Sequence, residues 1–402
     1  EIIGNEAIDS GGGIYIQNST MQLDGAAKLS NNRADIGGGL GVYDRSVVTI
    51  TNAVISNNTA MATTKRKDFK IGTITYDQNY GGGGIYVNEG GVVTLEENCI
   101  IEQNRSEATS KVGRGGGGNG GGGIFSRGMV VMKGGTIRDN YAKDSGGGIY
   151  AVGRFTMEGG MITGNTAQLD EGGGLRVDGK GSVITGGAIT HNRTETGFDW
   201  GGGGAFIKFG GELTIYNLLV NNNTAAGFGG GVGGCSSGDI EVCSLEGAAI
   251  YGNHANRASL TDREGYSKRD DQKISEYDVF KNSGCDDYFC AGTSTVYGRM
   301  LGDIDAGWVG SFGNAERNVD GEKVKVDGCT AYRETGSVSI LADGSKYADG
   351  WLALTAQEPK DPSGISPSVI ISDNYSNTHG GGIMSNGVLR LGSSDNFSGL
   401  RV

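Results

Sequence analysis

Positive charge, metal-ligand pairs, long apolar runs and proline are what this sequence lacks. Lys and Arg number 34 against 46 Asp and Glu, a net charge of −12, which disfavours nucleic acid and anionic membranes as partners. No run of 18 apolar residues occurs, so no segment reads as a bilayer-spanning helix. None of the six cysteines (Cys99, Cys235, Cys243, Cys285, Cys290, Cys329) forms a Cys-x2-Cys pair, and histidines are limited to His191, His254 and His379. No metal site and no cofactor is therefore expected. Cys285 with Cys290, or Cys235 with Cys243, is close enough for a local disulfide in an exported protein, with buried free thiols as the alternative. All three prolines, Pro359, Pro362 and Pro367, mark one loop.

Glycine is the opposite case, at 78 of 402 residues. It recurs at one place in a repeat, as in Gly11-Gly12-Gly13-Ile14-Tyr15, and is answered by an Asn-centred turn, as in Ile55-Ser56-Asn57-Asn58-Thr59-Ala60. The last Gly of successive turns falls at Gly13, Gly39, Gly84, Gly123, Gly148, Gly174, Gly204, Gly231 and Gly382. The answering Asn runs from Asn5, Asn32 and Asn58 through Asn104, Asn140, Asn165, Asn192, Asn223 and Asn253 to Asn374. The shortest repeats are 25 to 27 residues, the period of a solenoid. Two or three short strands fit between Gly and Asn, such as Ile14-Tyr15-Ile16, Met21-Gln22-Leu23 and Lys28-Leu29. The fold predicted is all-β: a right-handed parallel β-helix, with Gly permitting positive φ at a repeated corner and Asn stacking into an internal ladder. Gly115 to Gly118 is scaffold, since neither Gly-Lys-Ser/Thr nor a dinucleotide-binding spacing accompanies it.

A solenoid of ten or more coils uses the whole chain, residues 1–402, as a single domain of ~50 Å. Regular coils fill 1–254, a long insertion with degenerate coils fills 255–368, and a final coil fills 369–402. The chain begins at Glu1 within a coil, and its strand edges lead us to expect a domain or subunit that covers them.

The insertions share one corner. From turn Gly to the next ladder Asn the distance is 19 for Gly13 to Asn32 and 20 for Gly84 to Asn104, whereas from Asn to the next Gly it is 7 for Asn32 to Gly39 but 26 for Asn58 to Gly84. Loops from one corner stand side by side along one flank, so the function is expected there. The first carries Lys65-Arg66-Lys67 and ends with Tyr76 and Tyr80; another ends in Phe198-Asp199-Trp200. An aromatic beside an acid is a pairing that sugar sites use.

Glycoside hydrolysis with retention needs two carboxyl groups ~5–5.5 Å apart. Asp320 and Asp327 lie seven residues apart, each in a Val-Asp-Gly triplet; an extended chain of that length spans ~23 Å, so the pair meets only if the chain bends, as Gly321 allows. Asp271 and Asp278 share the spacing in a more polar run and remain the alternative.

The Gly-Gly-Gly-Ile-Tyr and Ile-x-x-Asn-x-Ala coils resemble, over most of the chain, the β-helix domains of bacterial surface proteins in general. Together with the long late insertion, Trp308 and the Asp320/Asp327 pair, they resemble the lacto-N-biosidases of glycoside hydrolase family 136. That resemblance implies a retaining hydrolase, extracellular or at the cell surface, that releases lacto-N-biose from type-1 oligosaccharides such as lacto-N-tetraose. It further implies Asp320 as general acid/base, Asp327 as nucleophile and a chaperone-like N-terminal domain or subunit as partner. Trp308, Trp200, Asp199 and Arg317 are the candidates for holding the sugar. Two rivals stand beside this reading: an adhesin module that binds glycan or protein without chemistry, and a polysaccharide lyase, which the negative charge fits poorly.

Overall fold

The structure, a computed structural model, describes residues 1–66, 79–109 and 119–195 with their side chains, most of 201–234, the side chains of Asn253 and His254, and elsewhere only the backbone of separate strands. Among the described residues there are strands and turns and no helix. The chain divides into two compact units, Glu1–Phe198 with Phe209–Glu212, and Asp199–Lys208 with Leu213–Val402.

In the first unit each coil lays down four strands, which in its second coil are Leu40–Tyr43, Val47–Ile50, Val54–Ser56 and Thr59–Ala60. Each pairs in parallel with its equivalents in the coils before and after: Leu40 with Ile14 and Ile85, Val48 with Met21 and Val93, Ile55 with Leu29 and Ile101, Thr59 with Arg33 and Arg105. Four parallel sheets stacked in register make this a parallel β-helix, the fold class read from the repeat. Three strands lie between Gly and Asn, and a fourth, of two residues, follows the Asn. Two residues are too few to show alternation, so the repeat gave no sign of that last strand.

Inside, like stacks on like. Leu29, Ile55, Ile101, Ile137, Ile162 and Ile189 form one register column, each with 0% exposure, and burying such a side chain contributes ~1.5–3 kcal/mol. Beside that column runs the asparagine ladder. Asn104 Oδ1 accepts from Asn58 N and Asn58 Nδ2 (3.0 and 2.9 Å), while Asn104 Nδ2 donates to Asn140 Oδ1 (3.0 Å) and to the Ile55 carbonyl (2.9 Å). Every polar position of that buried side chain is thereby satisfied, which is what its burial demands. The residue before each ladder Asn turns the corner in the left-handed region: Asn31, Asn57, Gln103, Asp139 and His191 have φ between 53° and 56°. His191 is thus a turn residue, of a type that tolerates this conformation.

The glycine triplet divides its labour. Gly37 has φ +58°, but Gly38 and Gly39 are needed for closeness: a Cβ on Gly38 would sit 2.4 Å from the Thr59 carbonyl oxygen, and one on Gly39 2.7 Å from that of Gly84. Positive φ accounts for the first glycine, and the approach of neighbouring coils accounts for the other two.

The second unit repeats the arrangement. Ala205–Ile207, Val232–Gly234, Asp286–Cys290 and Gly381–Ser385 pair in parallel in that order, and Asn223 donates to Asn253 through N and Nδ2 (3.1 and 2.9 Å). Asp286–Cys290 comes from the long insertion and pairs in parallel with Val232–Gly234 and Gly381–Ser385. Glu316–Val319 and Glu322–Lys325 form an antiparallel hairpin instead.

Candidate functional site

The outer face of one sheet positions the site. In the strand that follows each glycine triplet the first residue points into the core and the second outward, and the outward column reads Tyr15, Gly41, Tyr86, Phe125, Tyr150, Arg176. An outward aromatic on a bare sheet would be exposed, yet Tyr86, Phe125 and Tyr150 are buried (2%, 0% and 0%). Ile36, Tyr80 and Arg176 pack against them. The ring centroids of Tyr43 and Tyr86 are 5.5 Å apart, of Tyr86 and Phe125 6.0 Å, and of Phe125 and Tyr150 5.1 Å, edge to face.

The first long insertion is tied at both roots. Asp35 Oδ1 accepts from Thr63 N (2.6 Å), Thr63 Oγ1 (2.8 Å) and Thr64 N (3.1 Å), and Asn119 Oδ1 accepts from Asn79 N (2.7 Å) and Tyr80 N (2.9 Å). These bonds seat Tyr80 on the aromatic column, 6.0 Å from Tyr86 and 5.4 Å from Phe125. Arg66 is fixed as well, its Nη2 donating to Asp9 Oδ1 (2.9 Å) and Asp35 Oδ2 (2.8 Å).

Between loop and sheet lies a cleft of about 530 Å³. Tyr43, Tyr86 and Tyr80 present rings to it, Arg66, Arg127, Asp9 and Asn88 supply polar groups, and Ile36 completes the lining. Arg127 Nη1 donates to the Tyr80 hydroxyl (3.1 Å), and its Nη2 pairs with Glu89. Both guanidiniums lie near the Tyr80 ring, Arg66 at 5.8 Å and Arg127 at 5.3 Å, within cation–π range.

Ionisation decides what these groups can do. Burial alone would raise the Asp35 carboxyl, but the hydrogen bonds from Thr63 and Thr64 outweigh it and hold the carboxyl below its usual range. It stays a carboxylate and cannot donate a proton near neutrality. Burial pushes the Tyr43 hydroxyl well above its usual value, so it remains a protonated donor. The cleft therefore offers the Tyr43 ring, two cations and several hydrogen-bonding groups: equipment for holding a ring-shaped polar ligand.

At the far end of the column Arg176 takes the aromatic's place. It is 0% exposed, 4.6 Å from the Tyr150 ring, and paired with Asp178 (3.1 Å), Glu171 (3.3 Å) and Asp170 (3.5 Å). Among the described residues no three His, Cys, Asp or Glu side chains gather where they could hold a metal ion. Cys99 is a buried free thiol, pushed up to about 11 by burial, and so is protonated at neutral pH. No described helix is long and apolar enough to cross a membrane.

Of the residues singled out in the sequence, Asp320, Asp327, Trp308, Trp200, Asp199, Asp271 and Asp278 lie outside the described residues. So do Cys235, Cys243, Cys285 and Cys329, and Cys290 is described in its backbone alone. Arg317 is a strand residue paired with Val324. The hairpin does reverse the chain between Val319 and Glu322, but its second arm pairs Lys325 with Glu316 and so runs ~10 Å away from that turn. Sequence reasoning missed Tyr43, Tyr86, Asn88 and Arg127. An aromatic two places after the last glycine, at Tyr15, Tyr86, Phe125, Tyr150 and Phe206, was the signal: a ring repeated on the outward position of a strand implies a cover. No protein-family model matches the chain, and neither do the curated proteins or solved structures compared with it.

Proposed function

We propose that this protein engages carbohydrate along the flank where its insertions gather, and that the cleft of the first unit is a sugar-binding subsite. The supporting observation is the group of Tyr43, Tyr86 and Tyr80 rings beside Arg66, Asp9 and Asn88 in one cleft of about 530 Å³. Ring faces complement the C–H faces of a pyranose, and the polar groups its hydroxyls.

The fuller reading is the one the family resemblance implies: a retaining glycosidase of lacto-N-biosidase type. Asp327 attacks the anomeric carbon while Asp320 protonates the leaving oxygen, and Asp320 then deprotonates the water that releases the sugar. Trp308, Trp200, Asp199 and Arg317 hold the substrate in this proposal. It requires the two carboxyls to lie ~5–5.5 Å apart, so the chain beyond Lys325 has to fold back toward the turn that follows Val319. A partner over the first coil, where Ile3 and Ile8 are 45% and 97% exposed, belongs to the same proposal, as does an extracellular or cell-surface location.

One observation favours the adhesin reading instead. Beside the cleft Asp35 accepts four hydrogen bonds and is held ionised, so that carboxyl anchors the loop root and is not available as a general acid.

The deciding measurement is release of lacto-N-biose from lacto-N-tetraose by the parent and by folded Asp320→Asn and Asp327→Asn variants. Cleavage by the parent, with both variants slowed at least ~10³-fold, upholds the glycosidase. Binding of glycan without cleavage leaves the adhesin. Cleavage at parental rates by both variants moves the chemistry to other carboxylates, Asp271 and Asp278 first.

A further inference from the structure

The two arginines of the cleft are more than hydroxyl binders. In a chain of net charge −12 they are placed in one cavity, near one tyrosine ring, and each is held by a carboxylate at the rim. Asp9, paired with Arg66, is 74% exposed, and Glu89, paired with Arg127, is 70% exposed, whereas Arg66 and Arg127 are 18% and 12% exposed. A mostly buried cation whose counter-ion sits in water can exchange that counter-ion: the exposed carboxylate loses little on returning to solvent, and an arriving anion takes its place. Asp35 is different, since it is 2% exposed and its other oxygen is filled by Thr63 and Thr64. It stays while Asp9 leaves.

One donor of the cleft lacks an acceptor altogether. Arg66 Nε is buried and reaches no acceptor, a state that an incoming acceptor relieves. The Tyr43 hydroxyl, kept protonated by its burial, is a donor beside it in the lining. A neutral sugar satisfies such donors with hydroxyls, but a carboxylate accepts from a guanidinium fork in two parallel bonds and does so more strongly. The overall negative charge does not oppose this, because charges beyond ~8–10 Å are screened at physiological salt and the nearest charges are the two guanidiniums.

We propose that the cleft selects an acidic sugar, a uronic or sialic acid residue, whose ring lies against Tyr43 while its carboxylate displaces both Glu89 from Arg127 and Asp9 from Arg66. This rests on the carbohydrate reading above and names the class of sugar this subsite takes.

The test is calorimetric titration of the full chain with two matched pairs: trigalacturonic acid against its methyl ester, and 3′-sialyllactose against lactose. In at least one pair the acid should bind about tenfold tighter than its neutral counterpart, and 0.5 M NaCl should remove most of that advantage. Arg127→Gln should abolish the preference, and Glu89→Gln, an exposed substitution that leaves Arg127 without its competitor, should strengthen it. Acid and neutral probes binding equally in both pairs overturns the acidic selection while leaving the carbohydrate reading intact. A preference that survives Arg127→Gln and is unmoved by Glu89→Gln also overturns it, since the charge would then be recognised elsewhere. Absence of binding by all four probes overturns both.

Discussion

Two regions of the first unit place arginine against the same aromatic column, with opposite results. At Arg176 the connection from ladder Asn to turn Gly is nine residues, Asn165 to Gly174; no length is left over to form a loop, and the guanidinium fills the outer face with 0% exposure. At Arg66 the same connection is 26 residues, Asn58 to Gly84, and its described ends, at Arg66 and Tyr80, line a cleft of about 530 Å³. The chemistry is alike in both places: guanidinium, tyrosine ring, carboxylates. What differs is where the counter-ions lie. Around Arg176 they are buried, Asp178 at 3% and Glu171 at 0% exposure, and nothing can exchange; around Arg66 and Arg127 one carboxylate of each set is in water. Insertion length, more than residue type, separates a packed corner from an open cleft.

The largest effect is expected where nothing can exchange. Arg176→Ala leaves Asp170, Glu171 and Asp178 without their cation in a closed interior, and removing one partner from a buried ion cluster costs ~3–5 kcal/mol. Urea unfolding of the variant should show a midpoint shifted by that much, with glycan binding per folded molecule unchanged. A loss under ~1 kcal/mol would mean that water or rearrangement reaches Arg176, and the contrast between the two arginines would collapse.

The inner face provides the next comparison. Asn140 Oδ1 accepts from Asn104 N and Nδ2 (2.9 and 3.0 Å), and its Nδ2 donates to Asn165 Oδ1 and the Ile101 carbonyl (2.9 Å each). Asn140→Ala leaves several buried groups unsatisfied, at ~1–3 kcal/mol for each one that finds no water, so a net loss of about 3 kcal/mol is expected. Asn98→Gly is the control: its exposed side chain makes one similar bond, to Asn52 (3.0 Å), glycine tolerates its φ of 57°, and its loss should be near zero. Equal losses would show that stacking alone, and not burial of the ladder, matters.

These residues also show what a reader of the sequence could and could not see. The ladder was legible because each coil repeats the same buried requirement at the same place, so Asn32, Asn58, Asn104 and Asn140 stand out as a series. The flank was legible because insertions cluster at one corner, and Lys65-Arg66-Lys67 and Tyr80 were visible as the furniture of its first loop. The cleft itself was not. Arg127 and Asn88 lie outside the inserted segments, 61 and 22 positions from Arg66, and share a cleft with it only because the solenoid stacks its coils, and the split between exposed and buried counter-ions depends on packing that no spacing encodes. Nor did the triplet reveal that Gly38 and Gly39 serve close approach, since crowding by a neighbouring coil is a tertiary fact.

The smallest effect belongs to the bond that defines the cleft. Asp35 roots the loop, and its folded-state pKa is lowered by the hydrogen bonds from Thr63 and Thr64 against the opposing effect of burial. A depressed carboxylate stabilises the fold above its unfolded value of ~3.9, and that contribution is lost as the pH falls through the lower folded value. Asp35→Asn should therefore cost about 1–2 kcal/mol at pH 7, and the stability of parent and variant should converge as the pH falls through that lowered folded value. The Arg176 region is untouched by this substitution, so the loss should appear together with weaker glycan binding, as the loop that carries Arg66 loosens. A gap between parent and variant that is as wide in acid as at neutrality would show that the Asp35 charge does not hold the loop. The open corner would then owe its geometry to the Asn119 bonds at the other root, which do not titrate.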